Sequence, residues 1–389
     1  YSLYFSGWSL IYLPYPKAIA MSVSSLTSLN NTNEKSSFSH RKQDKTRSLR
    51  FYLACCSLLF LLCVLVLTSL VYGSVSLSLE QVLNAIQKLD LESTAHNLIW
   101  NLRLPRTLLA LIIGLHFALS GLILQSVIRN PLADSSVMGV SGGASLAIVV
   151  FLLLADVITG ALYAGETAHV SLAWLPLAAL TGGITVAALV LHLSWSGGIS
   201  PTKLVLNGVA IGAVLNALVM WTIIAWGGGR TETSILWLAG SLYGRDFHHL
   251  VAILPWTFFG LLATTIIIRP LSVLRFDEIL AQSLGVNVMR WRVISITVAV
   301  AFAASAIAIA GPVGFIGLII PHMARLFIGN QIHQLVIISA LAGANLTLGA
   351  DILSRMLLSP LELPVGALTT LLGIPVLLFL LQRQSWNSL

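Results

Sequence analysis

The sequence predicts an all-α, polytopic membrane protein of about ten transmembrane helices, and three observations carry that reading. Of 389 residues, 57% are hydrophobic and only 9% are charged, where a soluble domain usually carries about 25% charged residues. Apolar residues come in runs of roughly the 20 residues that a helix needs to cross a bilayer. Lysines and arginines gather on alternate loops, as orientation in a membrane requires. A soluble chain of this length would keep ample polar surface. Here the apolar excess must face lipid.

The expected spans follow in chain order. Residues 51–71 form an apolar run that holds all three cysteines, Cys55, Cys56 and Cys63. Neighbouring cysteines on a lipid-embedded helix suggest neither a metal site nor a disulfide framework, so they read as packing residues. Span 107–127 carries His116, the ionisable residue nearest a span centre, which reads as a packed polar side chain. Spans 137–155 and 172–193 follow a helix-breaking stretch and a loop. In 204–226, Gly208 and Gly212 make a GxxxG pair that lets helix backbones approach closely. Glycines 114, 121, 182, 183, 366 and 373 stand in spans or at their edges with the same use. Span 250–268 precedes a basic loop. Spans 293–310 and 312–329 are split only by Gly311 and Pro312, so one of them is a candidate to break or re-enter. Spans 334–350 and 365–381 complete the set.

With the N-terminus inside, fifteen of the 21 basic residues lie on inner loops and tails. Arg129, Lys203, Arg269, Arg275, Arg290, Arg292, Arg325 and Arg383 are among them. Lys88, Arg103, Arg106, Arg230, Arg245 and Arg355 fall outside. An even number of spans puts the C-terminus inside as well. The net charge of +7 is therefore an orientation signal and calls for no nucleic-acid partner. Residue 1 is tyrosine and the first methionine is Met21, so residues 1–20 are set aside from the native reading. The stretch 22–50 is polar and basic and is expected to be disordered; no signal-type cleavage site precedes the first helix, which is expected to stay. The organisation expected is a cytoplasmic tail 1–50, a transmembrane domain 51–383 and a C-terminal tail 384–389.

Several functions are disfavoured by what is missing. Carriers driven by ion gradients place carboxylates or histidines inside their spans. Here Asp134, Asp156, Glu166, Glu232, Asp246, Asp277, Glu278, Asp351 and Glu362 all read as loop or span-end residues. No lysine follows a glycine in the pattern of a phosphate-binding loop. No HExxH, paired intramembrane carboxylates or Ser/His/Asp grouping is present, so no catalytic residue, cofactor or metal site is expected. Transport energised by a partner protein is the remaining class, with a self-sufficient channel or ion-coupled carrier as the distant alternative.

The run RLPRTLLALIIGLHFALSGLILQSVIRNPLADSSVMGVSGGASLAI at 103–148 closely resembles the second and third helices of the FecCD-type permeases, the iron-siderophore and cobalamin ABC importers. KLVLNGVAIG at 203–212, WLAGSLYGRDF at 237–247, GPVGFIGLIIPHMARL at 311–326, GADILSR at 349–355 and ELPVGALTTLLGIPVLLFLL at 362–381 extend the resemblance in order over roughly 100–383. It implies a type II ABC importer permease fold in a bacterial cytoplasmic (inner) membrane. It also implies a second permease forming a homo- or heterodimer, two cytoplasmic ATP-binding subunits, and a periplasmic or lipid-anchored substrate-binding protein. WLAGSLYGRDF is more like the siderophore branch, so a ferric siderophore is the expected substrate, with cobalamin or haem as alternatives.

Besides the turn 129–143, where Asn130, Pro131 and the glycines break helix and which is implied to lie near the ATPase-facing surface, three groups of residues receive roles by that resemblance. The loop 269–292 is implied to hold the helix that couples to the ATPase. Its own residues suit that: Asp277 and Glu278 favour a helix start by complementing the dipole, and Gly285 favours its stop. Ala281 and Gly285 are expected to keep a docking surface small, while Leu280 and Leu284 supply apolar contacts. An amphipathic loop lying on the membrane is the alternative. Ser200-Pro201-Thr202-Lys203 aligns with a cytoplasmic gate, with Thr202 the matching small polar residue and Pro201 a departure from the pattern. Arg103, Arg106 and Arg355 match the basic residues that receive acidic groups of the binding protein. Snorkelling, or pairing with Asp351 or Glu362, is the competing account of those arginines.

Overall fold

The protein is described here by a computed structural model covering residues 48–73, 77–87, 94–159, 174–195, 198–226, 235, 237–357 and 362–386. The chain divides into two units, 1–52 and 53–389. Among the described residues the first unit holds only the opening of one helix, so residues 1–47 of the expected tail 1–50 lie outside them, as do Lys88, Glu166, Arg230, Glu232 and residues 387–389, while Ser48–Arg50 are helical.

Helices account for nearly all of the described residues of the second unit. In chain order the principal ones are α1 (Ser48–Val71), α2 (Leu79–Ile86), α3 (Leu104–Ile128, entered directly from a helical turn Thr94–Leu98 and a π-helical turn Ile99–Arg103), α4 (Val140–Ile158), α5 (Leu175–Leu193), α6 (Pro201–Trp226) and α7 (Phe247–Leu274). They continue as α8 (Glu278–Ser283), α9 (Val288–Ala310), α10 (Ile316–Ile328), α11 (Ile332–Met356) and α12 (Val365–Trp386). Eight of these are long and apolar enough to cross a membrane, and α10 and α12 contribute two shorter apolar stretches. Each of the ten expected spans thus contains a helix, although the span 312–329 is helical only from Ile316.

Local chemistry sets the ends. Pro105 stands in the first turn of α3, just past the π-helical turn Ile99–Arg103. The Asp246 carboxylate caps α7 by accepting from the N–H groups of His248 and His249 at 3.0 and 3.3 Å. Asn287 caps α9 by accepting from the Arg290 N–H at 3.0 Å. Ser78 and Gln81 form a reciprocal capping box on α2.

α3 is the buried centre and packs on α11, α9, α10 and α7, while α4 packs on α5 and α6. Apolar surface alone gives helices no reason to associate in lipid, so close van der Waals contact must. Gly114 of α3 and Gly343 of α11 supply it: a Cβ on either would collide with the other's backbone. His116 satisfies both ring nitrogens inside this core, with Nδ1 2.9 Å from the Ser305 hydroxyl and Nε2 2.9 Å from that of Thr257. That fits a packed polar residue with fixed neighbours.

The Gly311–Pro312 break resolves into a short helix. α10 has 13 residues, which at 1.5 Å per residue span only about 20 Å. The preceding segment 311–315 is irregular, with Gly311 at φ 76° and Phe315 at φ 69°. Irregular backbone in a membrane protein survives only where protein surrounds it. Here Gly240 and Gly366 close on it, each so near that an added Cβ would meet the Pro312 carbonyl, while the Ser241 N–H donates to the adjoining Ala310 carbonyl at 2.8 Å.

Candidate functional site

The residues singled out in the sequence fall at the two opposite ends of the helices. At one end meet the C-termini of α1 and α11 and the N-termini of α3 and α12. There Arg106 donates from Nε to Asp351 Oδ1 at 2.9 Å and from Nη1 to Glu362 Oε2 at 2.8 Å. Arg355, one turn beyond Asp351 on α11, places Nη2 3.0 Å from Asp351 Oδ2 and 2.7 Å from the Ser69 hydroxyl. Arg103 donates from Nη1 to the carbonyls of Leu70 and Val71 at 2.6 and 2.9 Å. The three arginines are 6–8% exposed and Asp351 is fully buried; the Glu362 side chain keeps 24% exposure.

The structure therefore brings Arg103, Arg106 and Arg355 together, and the pairing with Asp351 and Glu362 that competed as their explanation is present. Asp351 lies inside α11 rather than beyond it. Three guanidiniums face two carboxylates, leaving the group with one excess positive charge. Burying such ions costs several kcal/mol apiece unless each is paired and hydrogen-bonded, so this group is geometrically demanding.

At the opposite end the chain between α7 and α9 is shorter than the basic loop suggested, because both helices run into it. Asp277 occupies the N-cap position of α8, with Glu278 in its first turn. Gly285 ends the turn after α8 at φ 78°, and Val286 N–H returns to the Ala281 carbonyl at 3.2 Å. Ala281 is 1% exposed, so it seats α8 on the molecule and does not share an outer face with Gly285. The outer face is apolar: Ile279 is 84% exposed, with Phe276, Leu280 and Leu284 also open. Thr202 is exposed in the first turn of α6.

The turn before α4 shares that end. Arg129 follows α3 in a left-handed conformation, φ 56°, and its Nη1 lies 3.5 Å from Asp277 Oδ1. Asp134 is buried and accepts from the Ser135 N–H at 2.6 Å. Burial pushes its carboxyl above the usual range, and the backbone and hydroxyl hydrogen bonds of Ser135 pull it back only in part. Arg275 donates to the Asn330 carbonyl at 2.5 Å, which ties the α7–α8 connection to the one between α10 and α11.

Sequence reasoning missed two groupings. Arg292 entered only as part of the basic count, yet it is 4% exposed and contacts both α8 and the chain before α6. Beyond the other end of α7, Asp246 Oδ1 lies 2.7 Å from His249 Nδ1, and Arg245 Nη1 lies 3.4 Å from His249 Nε2. Burial raises the Asp246 carboxyl, but hydrogen bonds from His249 outweigh it and hold the group below its ordinary value. A cavity of about 280 Å³ opens beside them, lined by Leu177, Leu180, His248, His249, Trp256 and Ser305.

Comparison with known proteins places this arrangement. The FecCD transport family matches residues 61–383. The Fe(3+)-citrate import system permease protein YfmE of Bacillus subtilis is 36% identical over 88% of this chain and 99% of its own length. The achromobactin transport system permease protein CbrC of Dickeya dadantii is 37% identical over 84% and 90%. The vitamin B12 import system permease protein BtuC of Klebsiella pneumoniae is 34% identical over 73% and 82%. A solved metal-chelate type ABC transporter in an inward-facing conformation superposes with a TM-score of 0.71 at 29% identity, over 85% of this chain and 98% of that one.

Proposed function

Because the chain belongs to the FecCD transport family, we propose that it is the membrane-spanning permease of an ABC importer that carries a ferric siderophore inward on ATP hydrolysed by partner subunits. The observation that carries this is the match, over 84–88% of the chain, to permeases named for ferric citrate and achromobactin. Cobalamin is the second reading, favoured by the likeness to the vitamin B12 permease.

In this reading both termini are cytoplasmic and the α8 end faces the cytoplasm. Two ATP-binding subunits dock on α8, through the exposed Leu280 and Leu284 and the rim at Asp277, Glu278 and Gly285, with Ala281 anchoring the helix from behind. Thr202, at the start of α6, belongs to the inner gate. The binding protein docks at the opposite end, over Arg103, Arg106 and Arg355. The unbalanced positive charge there favours an acidic partner, and Arg106 receives it by exchanging Glu362, the half-open member of its pair. Exposed apolar faces on α1, α6, α7 and α12 meet lipid and a second permease.

Uptake of radiolabelled ferric citrate, ferric hydroxamates and cobalamin, with and without this gene, tests the assignment. Loss of ferric chelate uptake alone supports it. Loss of cobalamin uptake alone moves the substrate to the second reading. Transport by the purified chain in liposomes without ATP or partners overturns both.

A further inference from the structure

Ile199 lies two residues before α6 and is 2% exposed. Both of its backbone polar groups are held from α9. Its N–H points at Met289 Sδ at 3.4 Å, and its carbonyl accepts from Arg292 Nη1 at 2.6 Å. Met289 and Arg292 are three positions apart and so share one helix face. The same guanidinium reaches the other way, with Nη2 3.6 Å from Glu278 Oε2 on α8. A planar fork can serve two acceptors at a fixed angle, which the single ammonium of lysine cannot. Its Nε is buried without a hydrogen-bond partner, a cost that an aliphatic residue at this position would not incur.

We propose that Arg292 is a positioning residue that ties α8 to the backbone at Ile199, so that displacement of α8 is passed to the turn that starts α6. The proposal rests on reading α8 as the ATPase contact and Thr202 as part of the gate. Ile199 is buried, so its carbonyl has no water to take over when its donor moves. A charge-assisted hydrogen bond to a buried acceptor is among the stronger links available. The carbonyl therefore follows the guanidinium. Directly after Ile199, Ser200 accepts the first hydrogen bond of α6 from Leu204 at 3.0 Å, which makes Ile199–Thr202 one stiff unit. The other ion pair on α8, Arg129 with Asp277, is long at 3.5 Å and its carboxylate is 95% exposed. Arg292 with Glu278 is no shorter, at 3.6 Å to a carboxylate that is 53% exposed, so what sets Arg292 apart is its own burial and its bond to the buried Ile199 carbonyl.

The test uses the assembled importer in proteoliposomes, with Arg292→Lys and Arg292→Gln, and reads radiolabelled ferric chelate taken up per ATP hydrolysed. Both variants are expected to lower that ratio about tenfold, the factor that loss of one charge-assisted hydrogen bond commands. Spin labels at Lys203→Cys and Gln282→Cys, with Cys55, Cys56 and Cys63 replaced by serine, are expected to keep one separation through the ATP cycle in the otherwise native chain. In Arg292→Lys that separation is expected to broaden. A ratio within about twofold of native in both variants, or a native separation that changes through the cycle, overturns the tie. Arg292→Lys keeps the charge and carries the uptake test should Arg292→Gln fail to insert. The underlying reading has its own arm: Ile279→Asp on the open face of α8 is expected to release the ATP-binding subunits. Retention of those subunits overturns α8 as their contact, independently of what Arg292 shows.

Discussion

Arg106 and Asp351 are 245 positions apart in the chain and meet at 2.9 Å, with the carboxylate wholly buried. The pair joins the start of α3 to the last turns of α11, and Arg355 closes on the same carboxylate from its own helix.

Asp351→Ala removes the anion shared by two buried guanidiniums. It is expected to destabilise the protein by about 3–5 kcal/mol, the range for breaking a buried ion pair from one side. Reversible unfolding in detergent measures this. A loss below about 1 kcal/mol, typical of exposed pairs, would show that water reaches the site.

Glu362 is the more exposed partner of Arg106, so Glu362→Gln is expected to free that guanidinium at little structural cost. In the proposed docking scheme the binding protein then associates more tightly, by about tenfold if one charged competitor is removed. Surface plasmon resonance against the immobilised binding protein reads the change. Unaltered affinity separates Arg106 from the docking surface.

Gly285 has a positive φ and open space around its Cα. Gly285→Ala is expected to cost about 1 kcal/mol of local backbone strain, with little effect on uptake. Gly285→Trp adds bulk beside the face proposed for the ATP-binding subunits and is expected to abolish uptake while the protein still inserts. Native uptake with normal subunit association moves the contact elsewhere, for example to 129–143.

For Asp134 the sign follows from its raised carboxyl. The folded state binds the proton more tightly than the unfolded chain. The contribution of this group to stability is therefore greatest at low pH and is lost as pH rises from the unfolded value, about 3.9, through the folded one. Asp134→Asn keeps an oxygen for the Ser135 N–H and does not titrate. Its stability advantage over the native protein is expected to grow as pH increases from about 4, and thermal melts across pH measure it. A constant difference would mean that Asp134 is ionised throughout.

Most of the fold was legible because lipid crossing imposes a length and a composition that short runs cannot imitate. Asp277, Glu278 and Gly285 were legible for a similar reason, since caps and stops are local. What escaped depended on long-range packing. Ala281 lies on a six-residue helix, too short for its sequence to show which side faces inward. Arg292 looked like one more inner basic residue, because its acceptor at Ile199 lies 93 positions away and is a carbonyl. The mutual choice of Arg106 and Asp351 over solvent likewise belongs to how α3 and α11 pack.

The 13 residues of α10 have a consequence for how the chain is made. A helix of about 20 Å cannot by itself satisfy an insertion machinery that partitions segments matched to a hydrocarbon core of about 30 Å. Its irregular lead-in packs against Gly240 and Gly366 at the Pro312 carbonyl, and Gly366 is synthesised after it. This part of the protein must therefore enter the bilayer as a group, with α10 held near the translocon until α11 and α12 have emerged. In a chain truncated just after Gly329, with the native cysteines replaced, a cysteine placed in α10 is expected to stay open to an aqueous maleimide, and in one extended past α12 it is not.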